Sequence, residues 1–203
     1  MKNNHPMLKA FLVPILIGIP LITANATLFD YSVTLNGPSE SPANVSPGIG
    51  SADVKYDNAL HTLFIDLSFS GLQGTTTASH IHAATAAPGT LTAGVATTLP
   101  YFTGFPIGVT SGSFVTTLDL TSSSSYNPSY VTANGGTTAS AEAALALAMA
   151  SDEAYLNIHS SVYGGGEIRG FLLPATVPEP SGAVLLGLGG AILAWARRRS
   201  AVV

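Results

Sequence analysis

The sequence predicts an all-β domain, an antiparallel immunoglobulin-like sandwich or Greek-key barrel with one short helix, flanked by two hydrophobic ends. Short runs of alternating apolar and polar residues recur along the chain, clusters of Gly, Pro, Asn and Ser separate them, and one stretch has a helix-forming composition. Between the two ends, residues 27–176 comprise about 150 residues, the usual size of a single domain. We therefore expect one β-rich domain.

The clearest predicted strand begins at His61, where every second residue from Leu63 to Phe69 is apolar. This alternation is typical of a half-buried antiparallel strand. Residues 140–150 are rich in Ala and Leu and predict the helix, whereas the Ser-rich residues 121–130 predict a flexible loop. Further short strands are predicted at residues 27–35, 50–56, 80–83, 113–120, 155–159 and 167–173.

The composition excludes several classes of function. Five of the seven cationic residues lie in the two ends, so residues 27–176 carry Lys55 and Arg169 against ten carboxylates, a net charge of −8. Such a domain repels phosphate backbones, which predicts that nucleic acid is not a partner. The chain has no cysteine, which excludes disulfides, thiol nucleophiles and thiolate metal ligands.

The first 26 residues have the three parts of a secretory signal peptide. Lys2 and Lys9 supply positive charge, an apolar run extends to Ile22, and Ala24 and Ala26 are the small residues before a cleavage site. We expect signal peptidase to cut after Ala26, so that the protein is exported.

The C-terminal segment, residues 177–203, resembles the PEP-CTERM sorting tail of Gram-negative bacteria, which an exosortase recognises. Its apolar part, residues 182–196, would span only ~23 Å as a helix, less than a ~30 Å hydrocarbon core, which suits transient anchoring in the inner membrane. The alternative is a transmembrane anchor that is retained. The motif residues are Pro178, Glu179, Pro180, Arg197, Arg198 and Arg199.

The middle of the chain resembles a CHRD domain, the module named after chordin, from about Phe29 to Leu173. The resemblance implies an extracellular β-rich domain, and in chordin such domains accompany growth-factor binding. It rests on these segments in order: Leu35-Asn36-Gly37 with Glu40 and Pro42, Gly50-Ser51-Ala52, LFIDLSFSGL from Leu63, Ser79-His80-Ile81-His82-Ala83, and AYLNIHSSVYGGGEIRGFL from Ala154.

Three histidines form a candidate metal site. Residues two apart share one face of a strand, so His80 and His82 point the same way and Ile81 points opposite. In the later strand, His159 lies on the face opposite Ile158. If the two strands are neighbours, the three imidazoles suit copper or zinc as a cofactor. The alternative is that the histidines only hydrogen-bond loop carbonyls and solvent.

Glu167 and Arg169 are two residues apart in a predicted strand, after a Gly-rich hairpin. The spacing predicts an ion pair that orients the hairpin, formed between these residues or between Arg169 and another nearby acid. The alternative is that Arg169 binds an anionic ligand.

These features predict a surface-sorted binding or structural module of the cell envelope or extracellular matrix, without catalytic activity. Signal peptidase, exosortase, the membrane before processing and a matrix polysaccharide are the expected partners. One alternative is a copper- or zinc-binding protein that serves metal handling or redox protection. A second is a surface glycan hydrolase that uses Asp66 and Asp119 as its carboxylate pair.

Overall fold

The computed structural model describes residues 28–175. The predicted signal peptide, residues 1–26, and the predicted sorting tail with its transmembrane helix, residues 177–203, lie outside the described residues. Within residues 28–175, no helix combines the length and the apolar character needed to cross a membrane.

Residues 28–175 form eight β-strands, two α-helices and one short 3-10 helix at Ser123–Ser125. The fold is therefore mostly β, as the sequence predicts. The elements are β1 (Leu28–Asn36), β2 (Ile49–Asp57), β3 (Thr62–Ser70), β4 (Thr76–His82), β5 (Gly112–Asp119), α1 (Pro128–Ala133), α2 (Thr138–Ala150), β6 (Tyr155–Ser160), β7 (Ile168–Phe171) and β8 (Leu173–Pro174).

The strands form one antiparallel sheet in the order β4-β6-β7-β1-β2-β3-β5, and the sheet curls into a half-barrel. The two edge strands approach each other at one corner. There, Thr76 in β4 donates to the Val109 carbonyl and accepts from the Gly108 amide, at 2.8 and 2.9 Å, just before β5 begins. The predicted antiparallel fold is confirmed, with all strands in one hydrogen-bonded sheet.

The first and last strands of the described domain lie side by side. β8 pairs with β1 through Tyr31 opposite Pro174 and Ser32 opposite Leu173. The Ala175 amide also donates to the Asp30 carbonyl at 2.8 Å. Both ends of the domain therefore emerge at the same side of the sheet.

The alternating residues of β3 are its core side. Leu63, Ile65 and Leu67 are fully buried, and β3 lies between β2 and β5 in continuous register. The strand begins at Thr62 because His61 adopts a positive φ of 54°, which belongs to the turn.

The predicted helix is confirmed as α2, which begins after the N-cap Thr137. The Thr137 side chain accepts from the Ser140 amide, and the Ser140 side chain accepts from the Thr137 amide. These two bonds form a capping box. Leu145 and Met149 on α2 are fully buried in the core.

The prediction of a flexible loop at residues 121–130 is wrong. These residues hold the 3-10 helix and the start of α1. The Asn127 side chain caps α1 by accepting from the Ser129 amide, Pro128 occupies the first turn, and Tyr130 is buried. The Asn127-Pro128 pair is a helix start signal, and the Ser-rich composition around it led to the prediction of a loop.

Strands β4 and β6 are covered on both faces. The cover on one face encloses the three candidate histidines. Ile81, Leu156 and Ile158 face the core and are fully buried. The opposite face, which carries the histidines, lies beneath loops formed by residues 37–44, 89–95 and 161–166.

Candidate metal centre

The structure brings the three predicted histidines together. β4 and β6 are adjacent, with His80 opposite Asn157 and His82 opposite Tyr155, and His159 lies diagonally from His80. The His80 ring centroid is 4.8 Å from those of both His82 and His159. One ring nitrogen from each histidine lies within 4.8 Å of the other two. The two strands therefore build a compact cluster of imidazoles.

Loop carbonyls fix the proton positions on two of these rings. Nδ1 of His82 donates to the Ala93 carbonyl at 2.8 Å, and Nδ1 of His159 donates to the Gly164 carbonyl at 2.9 Å. A carbonyl only accepts, so each Nδ1 carries the proton and each Nε2 keeps a lone pair. Within the described part of the chain, His80 Nδ1, His82 Nε2 and His159 Nε2 are buried without a hydrogen-bond partner.

Burial keeps the imidazoles neutral. It lowers the pKa of His80 to about 3, with the charges of His82 and His159 adding to the effect. Burial also lowers the pKa of His82 to about 4, although the bond to Ala93 opposes it, and it lowers the pKa of His159. The cluster is thus in the neutral form that ligates metals.

In the metal-free protein, the rings of His80 and His82 are expected to stay neutral down to about pH 5 in an NMR titration. In urea-unfolded protein the same rings should titrate near their ordinary pKa of 6.5. Because the folded pKa values are the lower ones, the stability that depends on neutral rings is complete above pH 6.5 and is lost as the pH falls toward 4 and 3. A folded-state midpoint above about pH 6 for either ring would contradict the burial that we describe.

A stack of three side chains supports His82. The His82 ring lies parallel to the Tyr155 ring, with centroids 4.6 Å apart and planes at 7°. The Arg169 guanidinium lies 4.7 Å from the same Tyr155 ring. Arg169 also donates to the Leu91 carbonyl at 2.9 Å, in the loop whose Ala93 carbonyl holds His82. The orientation of His82 therefore depends on Arg169 through both the stack and the loop.

Arg169 and Glu167 bond to different parts of the protein. Arg169 faces the buried Glu40 carboxylate, with Nε 4.0 Å from Oε2, and donates from Nε to the Ser39 carbonyl. Glu167 accepts from the Ser46 hydroxyl at 2.6 Å and from the amides of residues 73 and 74. The acid that partners Arg169 is thus Glu40, and Glu167 fastens neighbouring loops.

Glu40 and Asn157 bond to each other beside the histidines, and the sequence predicted no site role for either residue. The Asn157 amide nitrogen donates to both Glu40 carboxylate oxygens, at 3.0 and 3.3 Å. Burial raises the pKa of Glu40 to about 7, although Arg169 and hydrogen bonds from Ser41 and Asn157 oppose the rise. Asn157 is two residues before His159, so the strand periodicity could have placed it on the histidine face. Glu40 lies on a loop, where no periodicity indicates which way a side chain points.

The strand register separates the backbone positions of the predicted hydrolase pair. Asp66 is opposite Val115 and Thr62 is opposite Asp119. Asp66 and Asp119 are therefore offset by four residues, ~13 Å along the strands. Both side chains are also exposed, so neither has the burial that raises the pKa of a glycosidase's general acid. The arrangement does not favour glycoside hydrolysis by these residues.

A family model described as the CHRD domain matches residues 31–172. The match includes the three histidines, Asn157 and the Glu40–Arg169 pair. No curated protein and no solved structure gives a significant match to the chain.

Proposed function

This chain belongs to the CHRD domain family, and on that premise we propose that it is an extracellular binding module whose three histidines hold one copper or zinc ion. No catalytic activity forms part of the proposal. The observation that carries it is the convergence of three imidazoles. Each offers one ring nitrogen within 4.8 Å of the other two, and each has one buried ring nitrogen without a hydrogen-bond partner within residues 28–175.

Energetics favour a ligand at this position. A buried polar atom without a hydrogen-bond partner costs about 1–3 kcal/mol, so the three such ring nitrogens of this cluster impose a substantial penalty on the metal-free fold. One metal ion would occupy all three lone pairs. The carbonyls of Ala93 and Gly164 bond the other nitrogens of His82 and His159, which is how proteins usually orient metal-ligating histidines.

The donor set selects the class of metal. Neutral imidazoles suit zinc and copper, whereas calcium and magnesium prefer oxygen ligands. Two nitrogens bound to one zinc ion at about 2.0–2.1 Å are at most ~4.2 Å apart. The nitrogens here lie within 4.8 Å of one another, so binding requires the rings to approach slightly.

We also propose that the protein is exported by its N-terminal signal peptide and sorted by its C-terminal tail. Signal peptidase and exosortase would act on residues outside the described range, with transient anchoring in the inner membrane of a Gram-negative bacterium. The processed module would lie at the cell surface or in the extracellular matrix, in contact with polysaccharide. The CHRD domain match supports an extracellular role for the middle of the chain.

Metal loading tests the proposed site. The purified protein, loaded with copper(II) or zinc and then freed of excess metal, is expected to retain about one equivalent and to unfold at a higher temperature. His82→Ala should retain less than about one tenth of an equivalent, because two imidazoles hold the ion too weakly. His61→Ala is the matched control, since His61 is half exposed and pairs with Glu142 away from the cluster.

Two results would contradict the metal site. The first is a wild-type protein that retains less than about a tenth of an equivalent, and the second is equal retention by wild type and His82→Ala. Either result would favour a metal-free binding or structural module, in which the histidines only donate hydrogen bonds to the loop carbonyls.

A further inference from the structure

The buried acceptors that have no partner concentrate on the histidine-bearing face. In residues 28–175, six buried side-chain polar atoms have no hydrogen-bond partner, and four of them lie on this face of β4 and β6. Three are the histidine nitrogens, which a metal ion would occupy. The fourth is an amide oxygen, a donor that suits calcium or magnesium better than copper or zinc, so a different partner is expected for it. The four atoms are His80 Nδ1, His82 Nε2, His159 Nε2 and Asn157 Oδ1.

The strand register places Asn157 in the middle of the cluster. Asn157 lies directly opposite His80, and on its own strand it lies between Tyr155, which is opposite His82, and His159. His82 and His159 are thus offset by ~13 Å along the strands. Their rings nevertheless lean toward each other, with centroids 6.2 Å apart. The two rings converge over the position that His80 and Asn157 share.

Glu40 sets the orientation of the Asn157 amide. Its carboxylate oxygens accept from the amide nitrogen at 3.0 and 3.3 Å, so Oδ1 is turned away from Glu40. Asn157 is only 2 % exposed. An amide oxygen only accepts hydrogen bonds, and within residues 28–175 no imidazole nitrogen donates one to it. The atom therefore requires a donor that the three histidines do not supply.

We propose that the metal centre keeps a fourth, exchangeable ligand carrying an O–H group, a water molecule in the resting protein, and that Asn157 positions this ligand by accepting its hydrogen bond. The inference rests on the proposed metal function. Zinc and copper sites with three protein ligands leave a coordination position open to water. A water molecule there donates to Asn157 Oδ1, and the ion takes the three imidazole lone pairs, so all four acceptors gain a partner. The centre is thereby open to small exogenous ligands.

The test uses the copper(II)-loaded protein. Pulsed EPR of the wild type in D2O is expected to show exchangeable deuterons of directly coordinated solvent, and azide should displace that solvent. Azide carries no proton to donate to Asn157, so its binding breaks the hydrogen bond from water. Asn157→Leu removes that penalty and should bind azide about fivefold to tenfold more tightly, while still holding about one equivalent of copper.

Ser68→Ala is the control, because the exposed Ser68 hydroxyl contacts the Ser51 hydroxyl at 3.2 Å between β2 and β3, away from the histidine strands, and it should leave azide affinity unchanged. Three results would overturn the proposal: absence of exchangeable solvent in the wild-type centre, unchanged azide affinity in Asn157→Leu, or the same shift in Ser68→Ala. Direct ligation by Asn157 Oδ1 would give the first result. Should Asn157→Leu fail to fold, the wild-type spectrum decides alone. Loss of copper from the wild type would instead overturn the metal site itself.

Discussion

Replacing Arg169 by methionine is expected to lower the free energy of unfolding by about 3–5 kcal/mol. The Arg169 side chain is 4 % exposed and faces the similarly buried Glu40. It also donates to the Ser39 and Leu91 carbonyls of two loops. Methionine fills much of the volume but leaves a buried carboxylate without its counter-charge and two carbonyls without their donor. Urea denaturation measures the loss.

The pH dependence distinguishes loss of charge compensation from loss of packing. The pKa of Glu40 in the folded protein, about 7, lies above its ordinary value of 4.5. Ionisation of Glu40 therefore costs stability as the pH rises from 4.5 through 7, and the cost grows when Arg169 is removed. The Arg169→Met deficit should be larger at about pH 8 than at about pH 5, and adding Glu40→Leu should recover part of it at pH 8.

Lys55→Met is the matched control, because Lys55 forms an ion pair with Asp30 at 2.9 Å on the exposed side of the sheet. Its unfolding midpoint should match that of the wild type, since exposed pairs contribute little. Equal deficits for Arg169→Met at both pH values, or no recovery with Glu40→Leu, would show that lost packing and lost hydrogen bonds explain the effect without the Glu40 charge.

Gly170→Ala is expected to cost about 3 kcal/mol or more, or to prevent folding. A Cβ at this position in β7 would collide with the Thr34 carbonyl of β1 and would lie 2.8 Å from Val33 Cγ1. The obstacle is backbone of a paired strand, so no side-chain rotation relieves it. β7 joins β6 to β1, and its displacement would separate the histidine strands from the rest of the sheet.

Gly164→Ala is the control for this substitution, since a Cβ added to Gly164 would have no atom within 4 Å. It should leave stability within about 0.5 kcal/mol of the wild type. A Gly170→Ala protein as stable as Gly164→Ala would mean that β1 and β7 can separate without cost.

Period-two alternation revealed the strands that have one face exposed and failed for those covered on both faces. β3 was predicted nearly to the residue because Asp66 and Ser68 face solvent. β4 begins at Thr76, four residues before its predicted start at His80, because its first half buries polar residues such as Ser79. The predicted strand at residues 167–173 is interrupted at Leu172, whose amide donates to the Ala154 carbonyl.

The same periodicity placed the histidines on one face, but it could not make the two strands neighbours. The register that sets His80 beside Asn157 depends on long-range pairing of β4 with β6, which no local pattern encodes. The residues that bond to this histidine face, Glu40, Ala93 and Gly164, lie on loops and act partly through backbone carbonyls. A backbone carbonyl is present at every residue, so the sequence could not identify which ones would be used.

The pairing of β1 with β8 determines how the domain responds to mechanical force. The two strands are antiparallel and the chain leaves both at the same side, through Leu28 and Ala175. Tension applied between these points loads the hydrogen bonds between β1 and β8 one after another. Because β8 contributes only two residues, few bonds resist the separation. Force applied to both ends would separate β8 from β1 at low load. Attachment at one end only would leave the sheet unloaded.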